Sequence, residues 1–178
     1  MMCLRPLLMS LSCGLILSAC SSLSALPPPS VYDLGPAHVA EASPGEPRLQ
    51  VLADPGLQGT EIVYRLMYVD AYRVESYRDS RWLAPPAELL ASRLSADLRV
   101  IGILRLQLLA FEQEFQSPTQ SQVRLRVRAW HGLAVDSGKT KDFELLLPAS
   151  PNAAGAVAAL STAVDQLALQ LSQWGNPP

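Results

Sequence analysis

The sequence predicts an α/β fold: a two-layer sandwich in which a largely antiparallel sheet carries two helices packed on one face. Three observations lead there. Between Ile103 and Leu147 three successive segments alternate apolar and polar residues, separated by short turn-forming stretches. Pro85–Ile101 and Pro151–Trp174 instead repeat leucine, valine and tryptophan at the spacing of one helix face. The order is strand group, helix, three-strand meander, helix, and each helix has a single apolar stripe to bury on the sheet.

The chain of 178 residues begins with a leader. Arg5 is the only charge ahead of an apolar run from Leu7 to Leu17. That is secretory-signal anatomy, and it falls short of the roughly 20 apolar residues a membrane span needs. Leu17-Ser18-Ala19-Cys20 closes the run and Ser21-Ser22 follows. A small residue directly before a cysteine at this place resembles the lipobox of bacterial lipoprotein precursors. The resemblance implies cleavage after Ala19, a lipid on the Cys20 sulfur and acylation of the new amine. An ordinary signal peptide with an incidental cysteine, or a buried helix, is the competing reading. Cys3 and Cys13 leave with residues 1–19, so Cys20 is the sole mature cysteine and no disulfide forms within the domain. Residues 20–30 form a lipidated, proline-rich tether, extended at Pro27-Pro28-Pro29. Residues 31–178 make one domain, large enough to bury a single core.

Val31–Leu34 reads as a short strand stopped by Gly35-Pro36, and His38–Pro47 as a loop. Arg48–Ala53 alternates, with Leu49 and Val51 inward. Glu61–Val69 and Tyr72–Arg78 form a hairpin about Asp70-Ala71, held by aromatic and β-branched pairs. From Trp82 to Val100 the period changes. Pro85-Pro86 suits a first helical turn, and Leu90, Leu94, Leu98 and Ile101 form its apolar stripe. In Ile103–Gln116 the alternation switches phase between Leu104, Leu106, Leu108 and Leu109, Phe111, Phe115; a β-bulge near Leu108-Leu109 places all six on the core face. Glu112 and Glu114 then point outward. After the turn Ser117–Gln120, Val123, Leu125, Val127 and Ala129 face in, while Arg124, Arg126, Arg128 and Trp130 face out. His131–Gly138 turns the chain, and Asp142 and Glu144 join the outer face, where Glu112 and Glu114 flank Arg126 and Arg124 in a charge ladder that fixes register. Ser150 caps the last helix, with Pro151 in its first turn.

Net charge is −2 with no basic run, which argues against nucleic acid. His38 and His131, the only histidines, lie in no metal-ligand spacing, and no nucleophile elbow, phosphate loop or dinucleotide fingerprint occurs. The expectation is no catalytic residue, no metal and no cofactor. His131 reads as a surface residue, and Ser137, His131 and Asp136 make a triad only on paper. Trp82, Tyr64, Tyr68, Tyr72 and Tyr77 are candidates to line a lipid-contacting groove; the favoured alternative is a seam between sheet and first helix. Trp130, outward on its strand, is the candidate for partner contact.

Arg81-Trp82-Leu83-Ala84-Pro85-Pro86-Ala87-Glu88-Leu89-Leu90 resembles the ABC-type transport auxiliary lipoprotein family, the PqiC-like proteins. Tyr32-Asp33-Leu34-Gly35 resembles the usual mature beginning of that family, and Ile62-Val63-Tyr64-Arg65 its next block. Pro36–Pro47 has no counterpart. The resemblance implies a non-enzymatic lipoprotein anchored through Cys20 on the periplasmic face of the outer membrane. It would assist lipid transport across the envelope, with phospholipid within reach, beside a mammalian-cell-entry type substrate-binding protein. Ser21 and Ser22, with no aspartate, fit passage to the outer membrane. Two other classes compete: a lipid-anchored periplasmic hydrolase and a purely structural envelope lipoprotein.

Overall fold

The computed structural model describes residues 28–36, 48–98, 102–134 and 137–176. The leader, Cys20, most of the tether, His38 and its loop, and Asp136 lie outside the described residues. The elements are β1 (Ser30–Tyr32), β2 (Arg48–Ala53), β3 (Glu61–Leu66), β4 (Glu75–Trp82), α1 (Pro86–Asp97), β5 (Ile103–Ser117), β6 (Gln120–Ala134), β7 (Ser137–Ala149) and α2 (Ala153–Gly175). Seven strands form one sheet in the order β1-β4-β3-β5-β6-β7, with β2 also on β5. The long β5–β6–β7 meander and the β3–β4 hairpin are antiparallel; β1–β4, β2–β5 and β3–β5 are parallel. The fold is therefore α/β, a mixed and largely antiparallel sheet with both helices packed against it.

Strand β5 is the spine. Its first half pairs with β2, from Arg48 opposite Ile103 to Ala53 opposite Leu108. Its second half pairs with β3, from Tyr64 opposite Gln113 to Leu66 opposite Phe115. Between them lies the expected bulge: Leu108 faces Val127 and Ala110 faces Arg126, so Leu109 is the extra residue. Leu104, Leu106, Leu108, Phe111 and Phe115 are buried in the core. Leu109 is a correction. As the inserted residue it stays half-buried and lines the opposite face with Ala110 and Glu112.

Helix α1 opens at the expected Pro85-Pro86, but Trp82, three residues earlier, belongs to β4. The Trp82 amide donates to the Thr60 carbonyl at 2.7 Å and Tyr32 pairs beside it. Pro86 then opens the helix, Glu88 sits favourably in its first turn, and Leu90, Leu94 and Leu98 are buried. Helix α2 is capped by Asn152 and not by Ser150: the Asn152 side chain accepts from the Gly155 amide at 2.8 Å. The Ser150 carbonyl is engaged elsewhere, by Asn152 N at 2.7 Å and Gln113 Nε2 at 2.9 Å. Gly155 is needed there, since a Cβ would come within 2.4 Å of the Ser150 oxygen.

Along α2, Ala156, Leu160, Ala163, Val164, Leu167 and Leu171 are buried. Among the described residues α2 is the one helix long and apolar enough to cross a membrane. Its apolar stripe lies on the sheet, so it serves as a core helix. His131 departs from expectation: it continues β6, which runs to Ala134, and its ring lies 5.7 Å from Trp174 at the end of α2.

Candidate functional site

The outer sheet face carries the charges the sequence placed there, with two changes. Arg128 meets Asp142 at 2.7 Å, Arg124 meets Glu144 at 2.7 Å, and Arg126 reaches Asp142 at 3.7 Å. The bulge shifts the β5 register, so Glu112 stands opposite Arg124 and not Arg126. Glu112 takes its ion pair from Arg65 on β3 at 2.9 Å, and Glu114 from Arg124 at 3.4 Å. Both glutamates point outward as expected, yet both are buried, beneath arginines and the β3–β4 turn. The Arg128 hydrogen bond holds the Asp142 carboxyl below its ordinary range. Burial opposes the Arg124 charge, but Glu144 and Glu114 outweigh it and raise its pKa. A shallow depression of about 250 Å³ lies over these pairs. Glu112 pairs with Arg65, while Arg124 is shared between Glu114 and Glu144, an arrangement suited to fixing register.

The aromatic candidates divide. Trp82 is 1% exposed and packs on Phe111 of β5 with ring centroids 5.4 Å apart, which makes it a core residue of the sheet. Tyr64 and Tyr77 pack at a tilt, with ring centroids 4.8 Å apart, and are half-buried. Tyr77 donates to Gln113 Oε1 at 2.6 Å, and the fully buried Gln113 in turn donates to Ser121 Oγ at 2.7 Å. Tyr68 and Tyr72 lie apart from these, in the exposed turn between β3 and β4. Trp130 is exposed on the outer face between Arg105 and Thr140 of the neighbouring strands. Sequence reasoning placed it correctly. It missed Gln113, which looks like one more polar residue in an alternating strand.

Burial, then the charge of Tyr64, pushes the Tyr77 hydroxyl up to about 12. A raised folded pKa means the unfolded chain ionises first. The Tyr77 contribution to stability is thus complete below about pH 10 and is lost as pH rises toward 12. In an alkaline absorbance titration Tyr64, raised by burial and its bond to Glu75, and Tyr77 should both ionise late, and Tyr77→Phe should remove the later of the two phases. A Tyr77→Phe titration identical to the parent would contradict the assignment.

A second concavity of about 620 Å³ opens between β1 and α2, lined by Val31, Leu34, Leu83 and Val157 among others. Arg93 borders this region. It bonds Asp165 Oδ1 at 2.7 Å and the carbonyls of Leu34, Gly35 and Pro36. Gly35 turns the chain there with φ +80°, its amide bonded to Asp33 Oδ1 at 2.8 Å. No group of three or more His, Cys, Asp or Glu side chains poised for a metal occurs among the described residues.

A mixed seven-stranded sheet backed by two helices, with an ion-paired outer face, defines a two-layer α/β domain. Among solved structures it is similar to protein XCC0632 from Xanthomonas campestris, described by the family model DUF330. The TM-score is 0.64 at 17% identity, covering 82% of this chain and 94% of that one. It is also similar to an uncharacterized protein, with TM-score 0.61 and 17% identity, covering 83% of this chain and 99% of that one. These likenesses establish a DUF330-like fold. No family model and no curated protein matches the sequence.

Proposed function

We propose that this chain is a non-catalytic envelope lipoprotein, held by a lipid on Cys20 to the periplasmic face of the outer membrane. Its role is that of an auxiliary component of an ABC-type lipid transport system containing a mammalian-cell-entry type substrate-binding protein. The observation that carries the reading is the fold likeness to the DUF330 protein, a family that corresponds to the PqiC-like lipoproteins. The lipobox residues Leu17–Cys20 and the Trp82-to-Leu90 resemblance point the same way from sequence. Trp130 is the proposed partner contact, as an exposed aromatic between polar neighbours on the outer face.

The test is affinity purification of the lipidated protein from envelopes, with Cys20→Ala as control. A mammalian-cell-entry type protein should co-purify with the parent, and Trp130→Ala should lower its yield without lowering the melting temperature. Recovery of no such protein with the acylated parent would defeat the transport reading. Unchanged yield with Trp130→Ala would remove that residue from the interface.

A further inference from the structure

The turn from Met67 to Val74 gathers five exposed large hydrophobic side chains within eight residues. Met67, Tyr68, Val69, Tyr72 and Val74 are all exposed, Tyr72 by 94%. A cluster of this kind on a soluble face marks a contact surface. The turn is also pre-shaped. The Arg65 guanidinium, fixed by Glu112, donates to the Ala71 and Tyr72 carbonyls at 3.1 and 3.3 Å. Asp70 Oδ1 accepts from the Tyr72 amide at 2.9 Å, and Asp70 N and Val69 N both bond the Leu66 carbonyl at 2.9 Å. The apolar side chains are therefore presented outward by a braced backbone.

The direction of the amino terminus matters next. Strand β1 runs parallel to β4, with Ser30 opposite Ser80 and Tyr32 opposite Trp82. Its upstream end therefore points to the Glu75 end of β4, where the turn sits. Glu75 lies five positions before Ser80, about 17 Å at roughly 3.4 Å per residue. The ten residues from Cys20 to Ser30 reach at most about 36 Å. A lipid on Cys20 can therefore pass the turn, but by no more than about 20 Å.

We propose that the Met67–Val74 turn is a second membrane contact, resting in the lipid interface beside the Cys20 anchor. The inference depends on the anchor reading above. Tyrosines suit that zone, with apolar rings and a wet hydroxyl, while Arg73 of the same turn is held in an ion pair with Glu75 at 3.1 Å. Two contacts on one end of the sheet would set the tilt of the domain, which a single flexible tether cannot do.

The test uses the acylated protein on vesicles of phosphatidylethanolamine and phosphatidylglycerol, some with brominated acyl chains. An environment-sensitive fluorophore is placed at Ala71→Cys, or at Leu83→Cys at the other end of β4. The label at 71 should lose fluorescence to the brominated lipid and the label at 83 should not. Adding Tyr68→Ser and Tyr72→Ser should reduce the loss at 71. Vesicle-bound protein with no quenching at 71 overturns the turn contact and leaves the anchor standing. Protein that fails to bind vesicles overturns both. A label at 71 unquenched by lipid, yet shielded from iodide as protein density rises, gives the turn to a second copy and also overturns the proposal.

Discussion

Trp82→Ala should cost about 3–5 kcal/mol of folding stability, the range for truncating a large aromatic in a packed core. The ring is buried to 1% exposure and packs on Phe111. The same residue ends β4 and lies next to Tyr32 of β1, so its loss loosens two strands with one cavity. Domains of this size have only about 5–15 kcal/mol in total, so the variant should sit close to its unfolding midpoint in mild urea. Trp82→Phe keeps an apolar ring and should lose less. Equilibrium urea unfolding decides the matter: a loss below about 1 kcal/mol for Trp82→Ala would mean that the ring is not part of the core.

Much of this was legible from residue spacing. The phase switch in β5 required an extra residue, and the structure has one at Leu109. What spacing could not show was where the extra residue itself would go. Leu108 and Phe111 are in the core, while Leu109 is left on the far face beside Ala110. The outer charges were legible as a set. Their pairing was not, because moving the register by one at the bulge gives Glu112 to Arg65 from a strand that precedes it by a whole helix. Parallel pairing of β2 and β3 along one edge of β5 leaves no mark in either segment, since alternation is the same in both directions. Of the site residues, Trp130 could be read from parity alone. Composition does not separate the buried Trp82 from the exposed turn tyrosines Tyr68 and Tyr72.

The amino-terminal strand depends on one arginine. Arg93 is 6% exposed and joins three pieces of chain: its own helix α1, Asp165 on α2 and the carbonyls that follow β1. Ser161 Oγ adds a bond to the Leu34 carbonyl at 2.7 Å. Arg93→Met removes the charge together with its bonds and should cost about 2–3 kcal/mol, as the buried Leu34 carbonyl and the part-buried ones after it lose their donor. Asp165→Ala leaves a buried guanidinium short of its carboxylate. Complete burial of such a pair would make the loss about 3–5 kcal/mol, but the Asp165 side chain is 40% exposed and water screens part of it, so about 2 kcal/mol is expected. The two changes share one interaction, so the double variant Arg93→Met with Asp165→Ala should be less destabilised than the sum, by about 1–2 kcal/mol. Amide exchange at Gly35 and Leu83, which flank the held strand, should speed up with Arg93→Met. Additive losses in the cycle would show that Arg93 and Asp165 do not act as a pair, and with unchanged exchange at those amides the arginine would have no hold on β1.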